Sequence, residues 1–124
     1  MNHDSAKEFC DKWLSAWTGG KAAVKRLLSF YDENAFYLDA MLPMGLTGHE
    51  DIKIYFERLL SRYPDWSYRA VEIIPTEKGF VLKWELAIPV GNDKITTMGL
   101  DIVEVVENLI TRNEVYFDRT ALMK

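Results

Sequence analysis

Two aspartates in apolar surroundings are the residues of this 124-residue sequence best suited to chemistry. Asp101 lies within the run GLDIV at residues 99–103, and Asp39 lies between a leucine and an alanine. An ionised carboxylate is costly to bury, so a protein keeps such a group neutral, pairs it or uses it. Two carboxyl groups in differently hydrated surroundings can have separated pKa values, which suits general acid–base catalysis. The structural interpretation is that each aspartate ends a strand or accepts a hydrogen bond from a turn.

The sequence lacks the residue motifs of several other kinds of catalytic site. There is no phosphate-binding glycine loop, no Gly-x-Ser-x-Gly elbow and no Cys-x-x-Cys pair. Of the two histidines, His3 lies near the start, and His49-Glu50 lacks the second histidine of a zinc-binding helix. We therefore expect neither a metal ion nor a cofactor. Carboxylates and cations lie together around the last predicted strand and indicate an ion-paired edge: Arg112, Glu114, Asp118 and Arg119.

Composition predicts one cytoplasmic globular domain over residues 1–124. Hydrophobic residues make up 48% and charged residues 27% of the sequence, which is ordinary for a globular chain. The net charge of −4 disfavours nucleic acid and anionic membranes as partners. A single cysteine, Cys10, excludes an internal disulfide and suits a reducing compartment. The polar start is unlike a signal peptide, and no apolar run approaches the roughly 20 residues that span a bilayer.

Apolar residues recur every three or four positions in the first half of the chain, which predicts amphipathic helices. Three helices are expected: one through Phe9, Trp13 and Trp17 to residues 18–20, one over Lys21–Tyr31, and one over residues 50–63 that Pro64 ends.

From residue 66 onwards the residues alternate as in β-strands, and one more strand lies earlier. Within that earlier strand Asp39 shares a face with Tyr37, and in a later strand Asp101 shares a face with Val103. Both aspartates are therefore expected on strands. The predicted strands are 36–41, 66–74, 80–90, 96–106 and 109–117, with turns at 77–79, 91–93 and 107–108.

The order of these elements predicts an α+β fold in which a curved antiparallel (mixed) sheet wraps around the helices. On the strand of Asp101 both faces are mostly apolar, whereas a solvated antiparallel sheet has one polar face. If the helices cover one face, a second surface has to cover the other. The simplest expectation is a homodimer through the sheet.

The order of elements and several short motifs resemble the NTF2-like superfamily over essentially the whole chain. The motifs are FYDENA at 30–35, the strand with Asp39, GHE at 48–50, and the closing runs at 99–103 and 109–118. The most similar branches are the ketosteroid isomerases and the SnoaL-like polyketide cyclases. The resemblance implies a cone-shaped α+β domain. It leaves function open, because this fold hosts isomerases, cyclases, dehydratases, hydrolases and transport factors.

The resemblance to ketosteroid isomerases implies roles for both aspartates. Asp39 falls on the general base, and Asp101 falls on a carboxylic acid kept neutral by an apolar site so that it donates to an oxyanion. Tyr31 matches a supporting tyrosine. The sequence departs from the pattern at Trp13, near the position of the oxyanion tyrosine, and at Phe56, where another supporting tyrosine would stand. An indole N–H donates but cannot share a proton as a phenol does.

Two other branches give different expectations. Epoxide hydrolases of this fold use an Asp-Arg-Asp set with an aspartate facing inward from the last strand. Alternation makes Val115 and Phe117 the inward residues here, so that chemistry is not expected. The cyclases use an aspartate acid/base on a later strand, and Asp101 can fill that position.

Two hypotheses for the function remain open. In the first, the protein abstracts a proton next to the carbonyl of a small, ring-containing hydrophobic substrate, towards isomerisation or aldol-type cyclisation. In the second, it is a non-catalytic domain that binds a small hydrophobic molecule or a partner protein. Under the first hypothesis Asp39 and Asp101 are catalytic. The residues expected to line the pocket are Trp13, Trp17, Tyr31, Tyr37, Phe56, Trp84, Val103 and Phe117.

Overall fold

Helices make up most of the first half of the structure, a computed structural model that describes residues 1–118 and 120. They are α1 (His3–Ser15), α2 (Val24–Leu28) and α3 (His49–Arg62), with a 3₁₀ turn at Gly20–Ala23 before α2. The Asn2 side chain accepts a hydrogen bond from a backbone N–H of the first turn of α1, as an N-cap does. None of the described helices is long and apolar enough to cross a membrane.

Two helix boundaries differ from the prediction. The expected helix over Lys21–Tyr31 is wrong in its last part, because α2 ends at Leu28 and Tyr31 begins a strand. The Phe30 carbonyl accepts a hydrogen bond from Ile110 N at 2.8 Å, so pairing with a distant strand overrides the local helical spacing. The first helix also ends early, at Ser15, before the predicted 18–20.

Six strands form one mixed sheet in the order β2-β1-β6-β5-β4-β3. The β1–β6 pair is parallel and the other pairs are antiparallel. This confirms the predicted α+β fold with a curved mixed sheet. The strands are β1 (Tyr31–Leu38), β2 (Leu46–Thr47), β3 (Ser67–Pro75), β4 (Gly79–Val90), β5 (Asp93–Val106) and β6 (Leu109–Phe117).

The turn between β5 and β6 lies where the sequence places it. Glu107 and Asn108 both have positive φ, 52° and 66°. Two-residue hairpins favour such backbones because their twist matches that of the flanking strands. The β5–β6 pairing starts at this turn, and a register shift between Glu104 and Val105 then aligns Asp101 with Val115 on β6. The predicted Arg119 of the ion-paired edge lies outside the described residues.

The helices cover one face of the sheet and bury it. On β4 alternate residues are fully buried, and on β5 the buried residues are Asp101 and Val103. On the opposite face Met98 and Leu100 are exposed by 41% and 43%. The functional side chains of the central strands therefore point between the sheet and the helices.

Candidate active site

Asp101 lies in the middle of β5, between β4 and β6, and is 4% exposed. Its Oδ1 accepts a hydrogen bond from Trp84 Nε1 at 2.7 Å, and its Oδ2 accepts one from Asn113 Nδ2 at 3.1 Å. Both donors stand on the neighbouring strands and face inward with Asp101. Each carboxyl oxygen thus has one N–H donor, and neither donor is a phenol.

Gly99 makes room for the Trp84 indole. The two residues are paired across β4 and β5, and a Cβ at Gly99 would overlap the six-membered ring of Trp84. Because the indole lies over the glycine, its N–H reaches the carboxyl group two residues further along β5. A glycine in a strand often marks such a close approach.

Asn113 is held by Tyr31. The Tyr31 hydroxyl donates to Asn113 Oδ1 at 2.7 Å, so the amide presents its NH₂ group to Asp101. Burial, and then the charge of Asp101, raise the pKa of Tyr31 well above its usual value, which keeps the phenol protonated as a donor. The network therefore runs from Tyr31 through Asn113 to Asp101.

Trp13 lies behind this network. Its Nε1 is fully buried and has no hydrogen-bond acceptor in the described part of the chain. The indole N–H is close enough to the Tyr31 hydroxyl to lower the pKa of that phenol slightly, against the larger effects that raise it. Its alignment does not amount to a hydrogen bond. Trp13 thus stands beside Tyr31 and makes no hydrogen bond to Asp101.

The pKa of Asp101 is raised to about 7. Burial is the largest cause, and it outweighs the two N–H donors, which favour the ionised form; the charge of Asp39 raises the pKa further. Near neutral pH the carboxyl group is therefore divided between its protonated and ionised forms. Such a group can take up and release a proton under ordinary conditions.

Asp39 differs from the prediction in its place on the backbone. It does not lie within a strand, because β1 ends at Leu38 and Asp39 is the first residue of the loop that follows. Its Oδ1 accepts a hydrogen bond from Met41 N at 2.9 Å, the local bond with which an aspartate opens a turn. Its other carboxyl oxygen, Oδ2, is bound by two phenols, and it accepts a hydrogen bond from Tyr37 at 2.9 Å and one from Tyr55 at 2.6 Å.

The two carboxyl groups line one narrow cavity between the helices and the sheet. Its free volume is about 20 Å³, room for about one water molecule. Four of the residues predicted to line a pocket do line it, namely Trp17, Tyr37, Trp84 and Phe117. The other four are buried in the surrounding core: Trp13, Tyr31, Phe56 and Val103.

Three polar residues of the site were not identified from the sequence. Tyr55 lies next to Phe56 on α3, and its hydroxyl donates to Asp39. Only Phe56, which has no hydroxyl, was considered from the sequence. Asn113 could have been found by alternation, since it faces inward two residues before Val115. Tyr68 on β3 lines the cavity. In the sequence it is one residue of an alternating strand, and nothing else distinguishes it as a site residue.

Neither His3 nor His49 lines this cavity. His49 begins α3, and its Nε2 lies 2.6 Å from the Tyr31 carbonyl oxygen. Among the side chains that the structure describes, no group of three His, Cys, Asp or Glu residues is arranged to hold a metal ion.

Comparison with known structures gives the same fold at low sequence identity. A protein described as a SnoaL-like polyketide cyclase from Shewanella putrefaciens is 13% identical, with a TM-score of 0.78 over 96% of this chain and 83% of that one. A protein described as an isomerase of the SnoaL-like family from Agrobacterium tumefaciens is 19% identical, with a TM-score of 0.75 over 93% and 98%. An LEH-like epoxide hydrolase from M. tuberculosis is 13% identical, with a TM-score of 0.74 over 97% and 87%.

At these identities the likeness shows the fold alone, which is that of NTF2-like proteins. No curated protein matches the sequence. The sequence itself matches the SnoaL-like domain family over residues 10–113, most of its length. The chain therefore belongs to the SnoaL-like domain family.

Proposed function

We propose that the protein is an acid/base catalyst that removes a proton next to the carbonyl group of a small, ring-containing hydrophobic substrate. The observation that carries this proposal is Asp101, a buried carboxyl group with a pKa of about 7 in the wall of the cavity. A general base works best when its pKa lies near the working pH. Isomerisation and aldol-type cyclisation both begin with this proton transfer.

Asp101, rather than Asp39, is the proposed base. The Asp39 oxygens already accept three hydrogen bonds, two of them from phenols at the same oxygen. Each Asp101 oxygen accepts only one. The resemblance to ketosteroid isomerases would make Asp39 the base. The choice of Asp101 instead agrees with the cyclases, which use an aspartate on a later strand. The structural neighbours described as a cyclase and an isomerase have the same fold and support either outcome of the reaction.

The substrate is proposed to be largely apolar, because most of the cavity wall is aromatic or aliphatic. Its aromatic residues besides Tyr37 are Trp17, Trp66, Tyr68, Trp84 and Phe117. A ring is larger than the present free volume. Binding therefore requires the half-buried Met41 and Phe117 to move, whereas the tryptophans are fully buried.

Deuterium exchange in heavy water tests the proposal without knowledge of the natural substrate. Cyclopentanone and cyclohexanone are incubated with the protein, and incorporation of deuterium next to the carbonyl is followed by NMR. The exchange rate is expected to rise with pH and to level off above about 7, as Asp101 ionises. The Asp101→Asn variant serves as the matched control and is expected to lose this exchange. Wild-type protein that exchanges no faster than the variant would overturn the proposal.

The narrow cavity favours one alternative, a domain that binds a small hydrophobic molecule without turning it over. A binding domain would retain its affinity for such a molecule in the Asp101→Asn variant and would show no exchange. The same pair of proteins therefore separates the two functions.

We also propose that the protein works in the cytoplasm as a homodimer through the outer face of the sheet. On that face Leu100 and Tyr116 are paired neighbours on β5 and β6, exposed by 43% and 48%. Exposed apolar side chains in a group favour burial against a partner. Sedimentation at micromolar concentration tests the dimer, and a single monomeric species would contradict it.

A further inference from the structure

Among the described residues, one tyrosine that lines the cavity has a hydroxyl with no hydrogen-bond partner. Three other tyrosines near the two carboxyl groups donate to side chains: Tyr31 to Asn113, and Tyr37 and Tyr55 to Asp39. Tyr68 lines the same cavity, yet its hydroxyl makes no hydrogen bond to any group within residues 1–118 and 120. A hydrogen-bond donor that faces a cavity without a partner is available to a ligand.

The ring of Tyr68 is held firmly by its neighbours. It packs edge-on against Trp66 and Trp84, with ring centroids 5.3 and 5.0 Å away, and at a tilt against Trp17 at 5.9 Å. Aromatic contacts on several sides fix the ring and hence the position of its hydroxyl. A donor that is already in place needs no reorganisation when charge develops on a substrate.

Tyr68 and Asp101 share a neighbour in Trp84. The ring of that tryptophan packs on Tyr68, while its N–H binds Asp101. Burial, and then the charges of Asp101 and Asp39, raise the pKa of Tyr68 well above its usual value. The phenol therefore stays protonated at any working pH and retains a hydrogen that it can donate. The free volume between these groups, about 20 Å³, accommodates a single oxygen-sized group.

We propose that the Tyr68 hydroxyl donates a hydrogen bond to the carbonyl oxygen of the substrate and is the second catalytic residue of the reaction. This rests on the proposed function of Asp101. The ionised Asp101 takes the proton from the carbon next to the carbonyl. The electron pair of the broken C–H bond forms a carbon–carbon double bond, and the carbonyl π pair moves to the oxygen. Tyr68 stabilises that enolate oxygen until Asp101 returns the proton to carbon. In the aldol-type outcome the enolate carbon instead bonds to a second carbonyl carbon, and the oxygen of that carbonyl takes the proton from Asp101.

The exchange experiment with cyclopentanone tests the role of Tyr68. In Tyr68→Phe the ring and its contacts with Trp66 and Trp84 are retained and only the hydroxyl is lost. The exchange rate above pH 7 is expected to fall about 10²–10³-fold, the usual effect of one oxyanion donor. The midpoint of the pH profile is expected to stay near 7, because the donors to Asp101 are unchanged. Tyr116→Phe, at an exposed hydroxyl bonded to Glu114, is the control and is expected to keep the wild-type rate.

Binding of para-nitrophenol gives a second measurement that does not need turnover. In an Asp101→Asn background the phenolate mimics the enolate, and adding Tyr68→Phe is expected to weaken its binding about tenfold or more. Circular dichroism establishes that each variant is folded. Unchanged exchange or unchanged phenolate binding in Tyr68→Phe would overturn the role of Tyr68 and leave Asp101 as the base. Absence of exchange in the wild type would instead overturn the proposed function itself.

Discussion

Asp39 and Asp101 are both almost fully buried, 3% and 4% exposed, and both line the same cavity, yet their surroundings differ. Asp39 lies in a loop at the end of β1, where a backbone N–H and two phenols bind it. Asp101 lies in the middle of the sheet, where one indole and one amide bind it. The loop backbone and two nearby hydroxyls donate three hydrogen bonds to Asp39. Asp101 receives only two, from side chains on the neighbouring strands. In the proposed function the less satisfied group, Asp101, is the one that takes the proton.

Exchanging each aspartate for asparagine tests this comparison most strongly. Asp101→Asn is expected to slow deuterium exchange into cyclic ketones about 10²–10⁴-fold, the usual contribution of a positioned general base. Asp39→Asn is expected to cause a smaller loss, because Asp39 shapes the cavity without taking the proton. Both rates are measured by NMR at the same pH. The reverse order would restore Asp39 as the base, as ketosteroid isomerases suggest.

Stability is expected to depend on pH through Asp101. The pKa is about 7 in the folded protein and about 3.9 in the unfolded chain, so between these values the folded state binds more protons. The free energy of unfolding attributable to Asp101 therefore falls as pH rises from about 4 to about 7, by about 4 kcal/mol, and is flat above.

Urea unfolding of wild type and Asp101→Asn across this range measures the effect as a difference between the two proteins. The variant is expected to lack this part of the pH dependence. Parallel curves for the two proteins would mean that Asp101 is solvated in the folded state.

Local patterns predicted the later strands and turns well. The buried residues of β4 alternate as expected, β6 spans the predicted residues 109–117, and the turn at Glu107-Asn108 is where it was placed. These features depend on neighbours in sequence. The predicted end of the second helix and the predicted position of Asp39 within a strand were wrong, because β1 is set by its parallel pairing with β6, far along the chain.

The site was harder to predict than the fold. Asp101 could be singled out because a carboxyl group in an apolar strand is unusual. The hydrogen-bond donors around Asp101 could not be predicted, because Asn113 and Tyr31 meet only when β1 and β6 pair. Tyr55 lies beside Phe56 on α3, and only the packing of that helix decides which of the two reaches Asp39.

Gly99→Ala is expected to disturb the Asp101 side of the comparison alone. The added methyl overlaps the Trp84 ring, and overpacking of this kind usually costs about 1–3 kcal/mol. The indole N–H is then displaced from Asp101, so the midpoint of the exchange profile is expected to shift to higher pH. Gly91→Ala is the control, because Gly91 has a positive φ but open space around it. It is expected to lower stability without shifting that midpoint.

The smallest expected effects concern the two phenols on Asp39. Tyr37→Phe and Tyr55→Phe each remove one donor to Oδ2 and are expected to cost about 1 kcal/mol in the free energy of unfolding. Each single variant leaves the other phenol in place. The double variant leaves that buried oxygen without a donor, so its cost is expected to exceed the sum of the single costs.

Urea unfolding of the four proteins gives the coupling between the two phenols directly. Neither single variant is expected to slow deuterium exchange, because the proton goes to Asp101. Strictly additive costs would mean that water replaces the phenols at Oδ2, and Asp39 would then be as open to the cavity as Asp101. That result would remove the physical difference on which the choice between the two carboxyl groups rests.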